Sequence, residues 1–214
     1  MDIQYILNII PILIKASFKT LELTVVSVSV GSLLGIIFAL IKLQKNEFLY
    51  SIGYLYTWIF RGTPLILQII FIYYGLPAFN IDLTPMQGAL IALSLNSGAY
   101  MAEIIRGGIL SIDKGQFEAA RALGFNYMQT MRRIILPQTF RVIIAPVGNE
   151  FITMLKDTAL VSVIAMTELM RTAQTMYAAK FSVEPYVVAA GIYLLLTSIF
   201  TAVFSKFEKK LSVY

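Results

Sequence analysis

Long stretches without charge, separated by short basic segments, divide this chain into predicted membrane spans. The clearest is Leu23–Ile41, which carries no charge over about 19 residues and approaches the roughly 20 needed to cross a bilayer. The other predicted spans are Leu49–Leu76, Pro85 to about Ile105, Ile134–Met154 and Val187–Phe204. The pattern therefore predicts an all-α membrane protein with about five transmembrane helices.

Proline and glycine interrupt the second of these spans at Arg61-Gly62-Thr63-Pro64. Pro64 has no N–H, so the carbonyl of Phe60 is predicted to lose its helical partner, and Gly62 allows the backbone to open. Several charges and prolines also disturb the fourth span, which is predicted to break at Lys156-Asp157.

Individual residues predict where other helices begin and how they pack. Thr84 is a predicted N-cap for the third span, and Ser182 followed by Glu184-Pro185 predicts the start of the fifth. Ile3–Ile14 is either an interfacial helix or the irregular start of the first span. The first span also carries small residues that suit close helix packing in lipid, namely Ser27, Ser29, Gly31, Ser32 and Gly35.

Lysine and arginine are distributed unevenly between the two sides of the predicted membrane. With the N-terminus outside, 10 of the 17 basic residues fall on the cytoplasmic side, 4 fall outside and 3 lie within spans. The positive-inside rule therefore predicts an external N-terminus and a cytoplasmic C-terminus. This orientation places the polar segment at about 114–133 in the cytoplasm.

Composition supports one multi-pass membrane domain over residues 1–214. The chain is 58% hydrophobic and 14% charged, whereas a soluble domain is about a quarter charged. The absence of cysteine and histidine excludes disulfides, thiol or histidine catalysis and a Cys/His metal site. The net charge of +5 lies at the predicted membrane rim, so no nucleic-acid partner is expected.

The polar segment has the composition of short helices. Phe117–Met131 is rich in good helix formers, and Gly124 is predicted to divide it into two helices at an angle. Phe117, Ala120 and Leu123 share an apolar face at helical spacing. Such a helix suits a groove on another protein, and the same pattern also suits a helix lying on the bilayer.

The spacing of Glu118-Ala119-Ala120, Gly124 and Ile134-Ile135-Leu136-Pro137 resembles the EAA signature of permease subunits of bacterial ABC importers. The resemblance covers roughly Tyr56 to Thr167. Three further segments resemble the branch of this family that imports polar amino acids: Arg61–Pro64 with the following LILQ, Glu103–Leu110 running into Gly115-Gln116, and Leu155–Ser162.

The resemblance implies a type I ABC importer permease fold in the bacterial plasma membrane. It implies two ATPase subunits, a second permease that is identical or homologous, and an extracytoplasmic amino-acid-binding protein. ATP and magnesium would be bound by the ATPase, because this chain has no G-x-x-x-x-G-K-[ST] phosphate loop and is not itself an enzyme. The residues expected to couple to the ATPase are Phe117, Glu118, Ala119, Ala120, Arg121, Leu123 and Gly124.

Ionisable residues within spans are costly and indicate function by default. Glu150 and Asp157 are seven residues apart, about 10.5 Å along nearly one helix face. Asn96, Tyr100 and Glu103 share one face of the third span. If these faces converge, they form an acidic cavity suited to arginine, lysine or histidine.

Other interpretations stay open at this point. The carboxylates could instead pair with Arg61, Arg141 or Lys156, and the substrate could be glutamine or glutamate. A stand-alone secondary transporter with Glu103 and Glu150 as a proton relay is a further alternative. The full set of predicted substrate contacts is Arg61, Gly62, Thr63, Leu67, Asn96, Tyr100, Glu103, Glu150, Met154 and Asp157.

Overall fold

The computed structural model describes residues Ile3–Leu211, so both ends of the predicted 1–214 domain lie outside the described residues. Over this range the chain is helical and its α-helices are joined by short turns. The helices are α1 Ile3–Lys42, α2 Glu47–Gly62, α3 Leu65–Ile70, α4 Pro85–Leu110, α5 Lys114–Ala122, α6 Tyr127–Thr130, α7 Leu136–Asp157, α8 Leu169–Lys180 and α9 Glu184–Leu211. A π-helical turn at Met131–Ile135 joins α6 to α7, and a 3₁₀ segment at Thr158–Ile164 follows α7.

Three of the described helices, α1, α4 and α9, are long and apolar enough to cross a membrane. The predicted second span forms α2 and the helical stretch Leu65–Phe79, which also meet this criterion together but bend by 105° at the break. The predicted fourth span is α7, whose 22 residues extend about 33 Å. Four charged residues lower its hydropathy, namely Arg141, Glu150, Lys156 and Asp157.

The N-terminal segment belongs to the first helix, because α1 runs unbroken from Ile3 through Pro11 to Lys42. Of the two interpretations of Ile3–Ile14, the structure supports the start of the first span. Proline at this position removes the helical partner of a single carbonyl. Ile9 and Leu13 are buried against α8 and α9, and this packing holds the segment in place.

Small residues bring α1 and α4 into close contact. A Cβ atom on Gly31 would lie 2.8 Å from the Cβ of Ser97, and one on Gly35 would lie 2.5 Å from the Cβ of Met101. The matched order of these contacts shows that the two helices run parallel. The predicted packing is confirmed at Gly31, Gly35 and the buried Ser27, whereas Ser29 is exposed.

The helix starts follow the predicted caps. The Thr84 hydroxyl accepts a hydrogen bond from the backbone N–H of Gln87, and the Gln87 side chain accepts one from the N–H of Thr84. This reciprocal pair begins α4 at Pro85. The last helix begins at Glu184, immediately before Pro185.

Two clusters hold different parts of the helix bundle together. At the end called here the coupling end, Ile109, Ile112, Met131 and Ile135 form an apolar cluster with Leu43 against it. Beside the middle of α1, the buried carboxylate of Glu168 is held between several elements. Its donors are the Thr20 hydroxyl at 3.2 Å, the Tyr193 hydroxyl at 3.0 Å and the Arg171 backbone N–H at 2.7 Å.

Replacing Gly35 by leucine is expected to destabilise the protein by about 1–3 kcal/mol, because the added side chain overpacks the α1–α4 contact. The measurement is thermal unfolding of the protein purified in detergent. Gly191→Leu is the matched control, since nothing lies within 4 Å of a Cβ at that position in α9. Equal unfolding temperatures for the two variants would contradict the proposed role of this contact.

Candidate translocation site

The break between α2 and α3 is stabilised by side-chain amides. The carbonyl of Phe60, which Pro64 deprives of its helical partner, accepts hydrogen bonds from Gln68 Nε2 and Asn96 Nδ2, both at 2.9 Å. Gln68 Nε2 also donates to the carbonyl of Thr63 at 3.0 Å, and Asn96 Nδ2 donates to Gln68 Oε1 at 3.0 Å. The predicted loss of a partner at Phe60 is therefore confirmed, and α4 supplies part of the replacement.

Because of this network, the backbone carbonyls at the break are not free to contact a substrate. Broken helices can offer free backbone groups to a substrate. Here the carbonyls of Phe60 and Thr63 already accept from side chains, and Asn96 is buried with its amide donors engaged. The Thr63 side chain still borders a cavity, and no protein atom lies within 4 Å of a Cβ at Gly62.

The polar cavity has a volume of about 530 Å³ and lies between the start of α3, the middle of α4 and the second half of α7. Its lining includes five of the predicted contacts, namely Thr63, Asn96, Tyr100, Glu150 and Asp157. Asn149 and Thr153 of α7 also line it. These two were missed from the sequence, although their spacing from Asp157 places them on its helix face.

The cavity presents carboxylates without a paired cation. Glu150 is only 8% exposed, and the hydroxyl of Ser97 on α4 lies within interaction range of its carboxylate. Neither Glu150 nor Asp157 forms an ion pair with a described residue, although the charge of Lys156, next to Asp157 in the chain, interacts with it. Arg61, one of the partners considered for them, instead places its guanidinium 5.4 Å from the ring centroid of Tyr100.

Glu103 does not join this cavity. Its carboxylate is ion-paired with Lys42, at the end of α1, and with Arg106 Nη2 at 2.8 Å. Lys42 reaches it because α1 runs alongside α4, and an ion pair offsets the cost of placing a carboxylate in the protein. Glu103 lines a second cavity of about 380 Å³ together with Arg61 and Gly62. The two predicted faces therefore converge at Asn96, Tyr100, Glu150 and Asp157, whereas Glu103 lies outside the polar cavity and lines an adjoining one with Ile104 and Pro146.

Two other predicted contacts lie elsewhere. Met154 is 1% exposed and packs in the apolar core, where Ile69 and Leu93 are its neighbours in the same cluster. Leu67 borders a separate groove of about 460 Å³ with an almost entirely apolar lining. The polar cavity therefore uses the Glu150 and Asp157 side of α7, and Met154 faces away from it.

The coupling segment, residues 111–135, forms the two predicted helices α5 and α6. The Asp113 carboxylate accepts a hydrogen bond from the N–H of Gly115 at α5, and the Asn126 side chain caps α6. Between them Gly124 has φ +79°, a left-handed conformation that glycine adopts without strain. The predicted division at Gly124 is confirmed.

The orientation of α5 corrects the expected docking face. Ala120 is buried and Phe117 packs against the apolar cluster at the coupling end. Leu123, at the end of α5, is 76% exposed. The expected face of Phe117, Ala120 and Leu123 is therefore divided, because the chain's own helices cover its first two members. The predicted coupling residues that remain exposed are Glu118, Ala119, Arg121, Leu123 and Gly124.

Comparison with known proteins identifies the family to which this fold belongs. Residues 31–213 match the profile of the family described as binding-protein-dependent transport system inner membrane component. The chain belongs to this family. The permease is accordingly an inner-membrane protein and a transport subunit rather than an enzyme, and the resemblance of its EAA signature is confirmed.

Two of its relatives are permeases of amino-acid transport systems. The permease is 43% identical over 206 residues to the arginine transport system permease protein ArtQ of Bacillus subtilis strain 168, covering 94% of this chain and 93% of that one. It is 35% identical over 207 residues to the glutamine transport system permease protein GlnP of Escherichia coli strain K12, covering 95% and 94%.

A solved structure shares the whole fold. The crystal structure of an amino acid ABC transporter with histidines superposes with a TM-score of 0.93 at 38% identity, covering 98% of this chain and 99% of that one. The predicted type I importer permease fold is therefore confirmed. The permease is the membrane-spanning subunit of an ABC amino-acid importer, which works with a separate ATPase and a substrate-binding protein.

Gln68→Leu is expected to lower the stability of the permease, because the carbonyls of Phe60 and Thr63 lose a donor. An unsatisfied buried polar group costs about 1–3 kcal/mol. Thermal unfolding in detergent checks this. Gln174→Leu in α8 is the control, since that half-buried amide donates a long hydrogen bond of 3.5 Å to the Ser162 hydroxyl. If Gln68→Leu unfolds at the same temperature as Gln174→Leu, the network does not stabilise the break.

Proposed function

We propose that the permease forms the translocation pathway for a basic L-amino acid, namely arginine, lysine or histidine. The observation that supports this substrate class is the pair of carboxylates, Glu150 and Asp157, that line the polar cavity without an ion-paired cation. A cavity lined by one sign of charge concentrates ligands of the opposite sign. Family membership favours an importer over the stand-alone transporter considered above.

The size and polarity of the cavity suit an amino acid. Its volume of about 530 Å³ falls within the range of about 300–1,000 Å³ typical of small-molecule sites. Glu150 and Asp157 offer two positions for a cationic group about two helical turns apart. Arg61 borders the neighbouring cavity and lies 5.4 Å from the ring of Tyr100, which lines the polar cavity.

A neutral substrate such as glutamine is the second candidate. Asn149 and Thr153 bring an amide and a hydroxyl to the cavity, and both groups hydrogen-bond readily to a side-chain amide. The named relatives include arginine and glutamine permeases, so they support either candidate. An acidic substrate such as glutamate is disfavoured by the two carboxylates.

The proposed assembly has two permeases, identical or homologous, two ATPases and an extracytoplasmic binding protein. The ATPases bind ATP and magnesium, and the N-terminus of the permease lies outside. The exposed part of α5 docks on the ATPase at the cytoplasmic side. Transport follows alternating access, in which ATP and the loaded binding protein shift the populations of two forms because they bind those forms unequally.

Glu150→Gln is expected to weaken arginine binding by about tenfold or more, because a hydrogen bond to a charged group contributes about 1.5–3 kcal/mol. Glutamine binding should change far less, since it gains no charge pairing at Glu150. The measurement is competition for uptake into proteoliposomes by arginine, histidine, glutamine and glutamate.

Glu103→Gln is the matched control for this change of charge. Because Glu103 is paired with Lys42 and Arg106 outside the polar cavity, its replacement should affect arginine and glutamine equally. If Glu150→Gln weakened arginine and glutamine binding equally, the argument for a basic substrate would fail.

Glu118→Arg is expected to weaken docking of the ATPase and to reduce ATP-driven uptake. Mismatching a charge buried in an interface costs about 2–5 kcal/mol. Co-purification and substrate-stimulated ATP hydrolysis report the effect. The control is the same charge reversal at the exposed Glu208, near the end of α9 and outside the coupling segment. Normal docking and uptake in Glu118→Arg would exclude this face.

A further inference from the structure

An apolar recess lies beside α1, α2, α3 and α4 in the half of the molecule away from the coupling end. The groove bordered by Leu67 has a volume of about 460 Å³, and a neighbouring groove between α1 and α4 has a volume of about 330 Å³. Ile91 and Leu95, in the first half of α4, line both grooves. The two grooves are therefore parts of one recess, called here the lateral recess.

The lateral recess exists because α2 packs on α1 over only part of its length. Toward the coupling end the two helices are close, since a Cβ atom at Gly53 would lie 2.6 Å from the Cγ of Lys42. The ring of Tyr56 stacks on Phe38, with centroids 3.9 Å apart. Soon afterwards α2 ends at Gly62, and the chain bends by 105° into the stretch that begins with α3. Beyond this bend α2 no longer covers α1 and α4.

Tyr56 closes the recess toward the coupling end. Its hydroxyl donates a hydrogen bond of 2.7 Å to the carbonyl of Leu95. A Cβ atom at Gly98 would lie 2.5 Å from this hydroxyl oxygen and 2.9 Å from the Cβ of Leu34. Helices α1, α2 and α4 thus meet at this level, and the recess ends blindly near the middle of α4.

The depth of the recess matches one leaflet of a bilayer. On α1 its lining runs from Val26 through Val30 to Leu34 at helical spacing. This stripe extends about 12 Å along the helix axis. The hydrocarbon core of a bilayer is about 30 Å thick, so one leaflet contributes about 15 Å.

A charged pair marks the opposite end of the α1 stripe. Lys19 lies seven residues before Val26, on nearly the same face of the helix. Its amino group forms an ion pair of 2.7 Å with Glu22, and both side chains are about half exposed. Charged side chains near the ends of membrane helices place their polar groups at the lipid–water interface. The apolar stripe therefore begins at the level expected for lipid headgroups.

The recess also borders the back of the α2–α3 break. Gln68, whose amide donates to the carbonyls of Phe60 and Thr63, lines it. Thr63 lines both the recess and the polar cavity, so the break forms the wall between them. An apolar occupant of the recess would complete the burial of these hydrogen bonds on the side away from the polar cavity.

The chemistry of the recess selects a hydrocarbon chain as this occupant. The lining of the larger groove is almost entirely apolar, so it suits neither a polar solute nor a headgroup. The family is an inner-membrane component, and lipid chains surround its helices at this depth. The blind end, the length of one leaflet and the charged pair together fit a single lipid chain that enters from the headgroup level.

We propose that the lateral recess binds an acyl chain of a phospholipid from the leaflet away from the coupling end. The phosphate lies level with Lys19, and the end of the chain lies beside Tyr56. The chain covers the α2–α3 break on the side opposite to the polar cavity. This site goes beyond the proposed function and does not depend on which amino acid is transported.

Depth-specific photo-cross-linking tests the site in the complete complex with ATPase and binding protein. The complex is reconstituted in liposomes of phosphatidylglycerol that carries a diazirine either at the end of one acyl chain or next to its ester. The chain-end probe should attach to Leu34 and Leu95, and the ester-proximal probe to Val26 and Leu90, which also lines the recess. The reverse order would show that the chain comes from the other leaflet and would overturn the proposal.

Val26→Trp and Val25→Trp form a matched pair of variants. The two valines are adjacent in α1 and are 37% and 49% exposed, but Val26 lines the recess and Val25 does not. The indole at position 26 fills the recess, so labelling of Leu90 and Leu95 should be lost in Val26→Trp and retained in Val25→Trp. Undiminished labelling in Val26→Trp would contradict an acyl chain in the recess.

The labelling pattern of the wild-type complex decides the matter even if Val26→Trp fails to assemble. If both probes label Val25 but neither labels Leu90 or Leu95, another protein surface, such as a second copy of the permease, covers the recess and the proposal is wrong. Cross-linking does not measure transport. A failure of the proposed substrate class would therefore leave these results unchanged, and the two failures can be told apart.

Discussion

The backbone carbonyl of Phe60 needs a hydrogen-bond donor, and this need determines the structure of the α2–α3 break beside the polar cavity. A polar backbone group has no water to bond with inside a bilayer, so it must find a partner within the protein. Pro64 frees the carbonyl of Phe60, and the amides of Gln68 and Asn96 replace the lost donor. These bonds fix the bend between α2 and α3 against α4, and the bend places Thr63 at the polar cavity.

Close packing of α1 on α4 complements this network. The glycines Gly31 and Gly35 let α1 approach α4 closely enough for Lys42 to reach Glu103. The same contact that stabilises the bundle therefore holds the Glu103 carboxylate outside the polar cavity. The cavity obtains its charge from α7 instead, where Glu150 and Asp157 share a face.

The features that could be predicted from the sequence are those that local backbone chemistry determines. The break at Pro64, the cap at Thr84 and the division at Gly124 follow from backbone rules that need no knowledge of neighbours. The partners of Glu103 could not be predicted, because they depend on the register of α1 against α4. For the same reason the sequence did not show that Phe117 and Ala120 face inward, since an apolar face alone does not say which surface covers it. Asn149 and Thr153 were missed because neither is ionisable, and the sequence argument rested on ionisable residues within spans.

The carboxylate of Glu168 has a mechanical consequence for the whole chain. It ties α1, the start of α8 and α9 together through Thr20, the Arg171 backbone and Tyr193. Thr20 lies midway along α1, so the carboxylate cross-links these helices inside the bundle. We therefore expect α1, α8 and α9 to move as one rigid body.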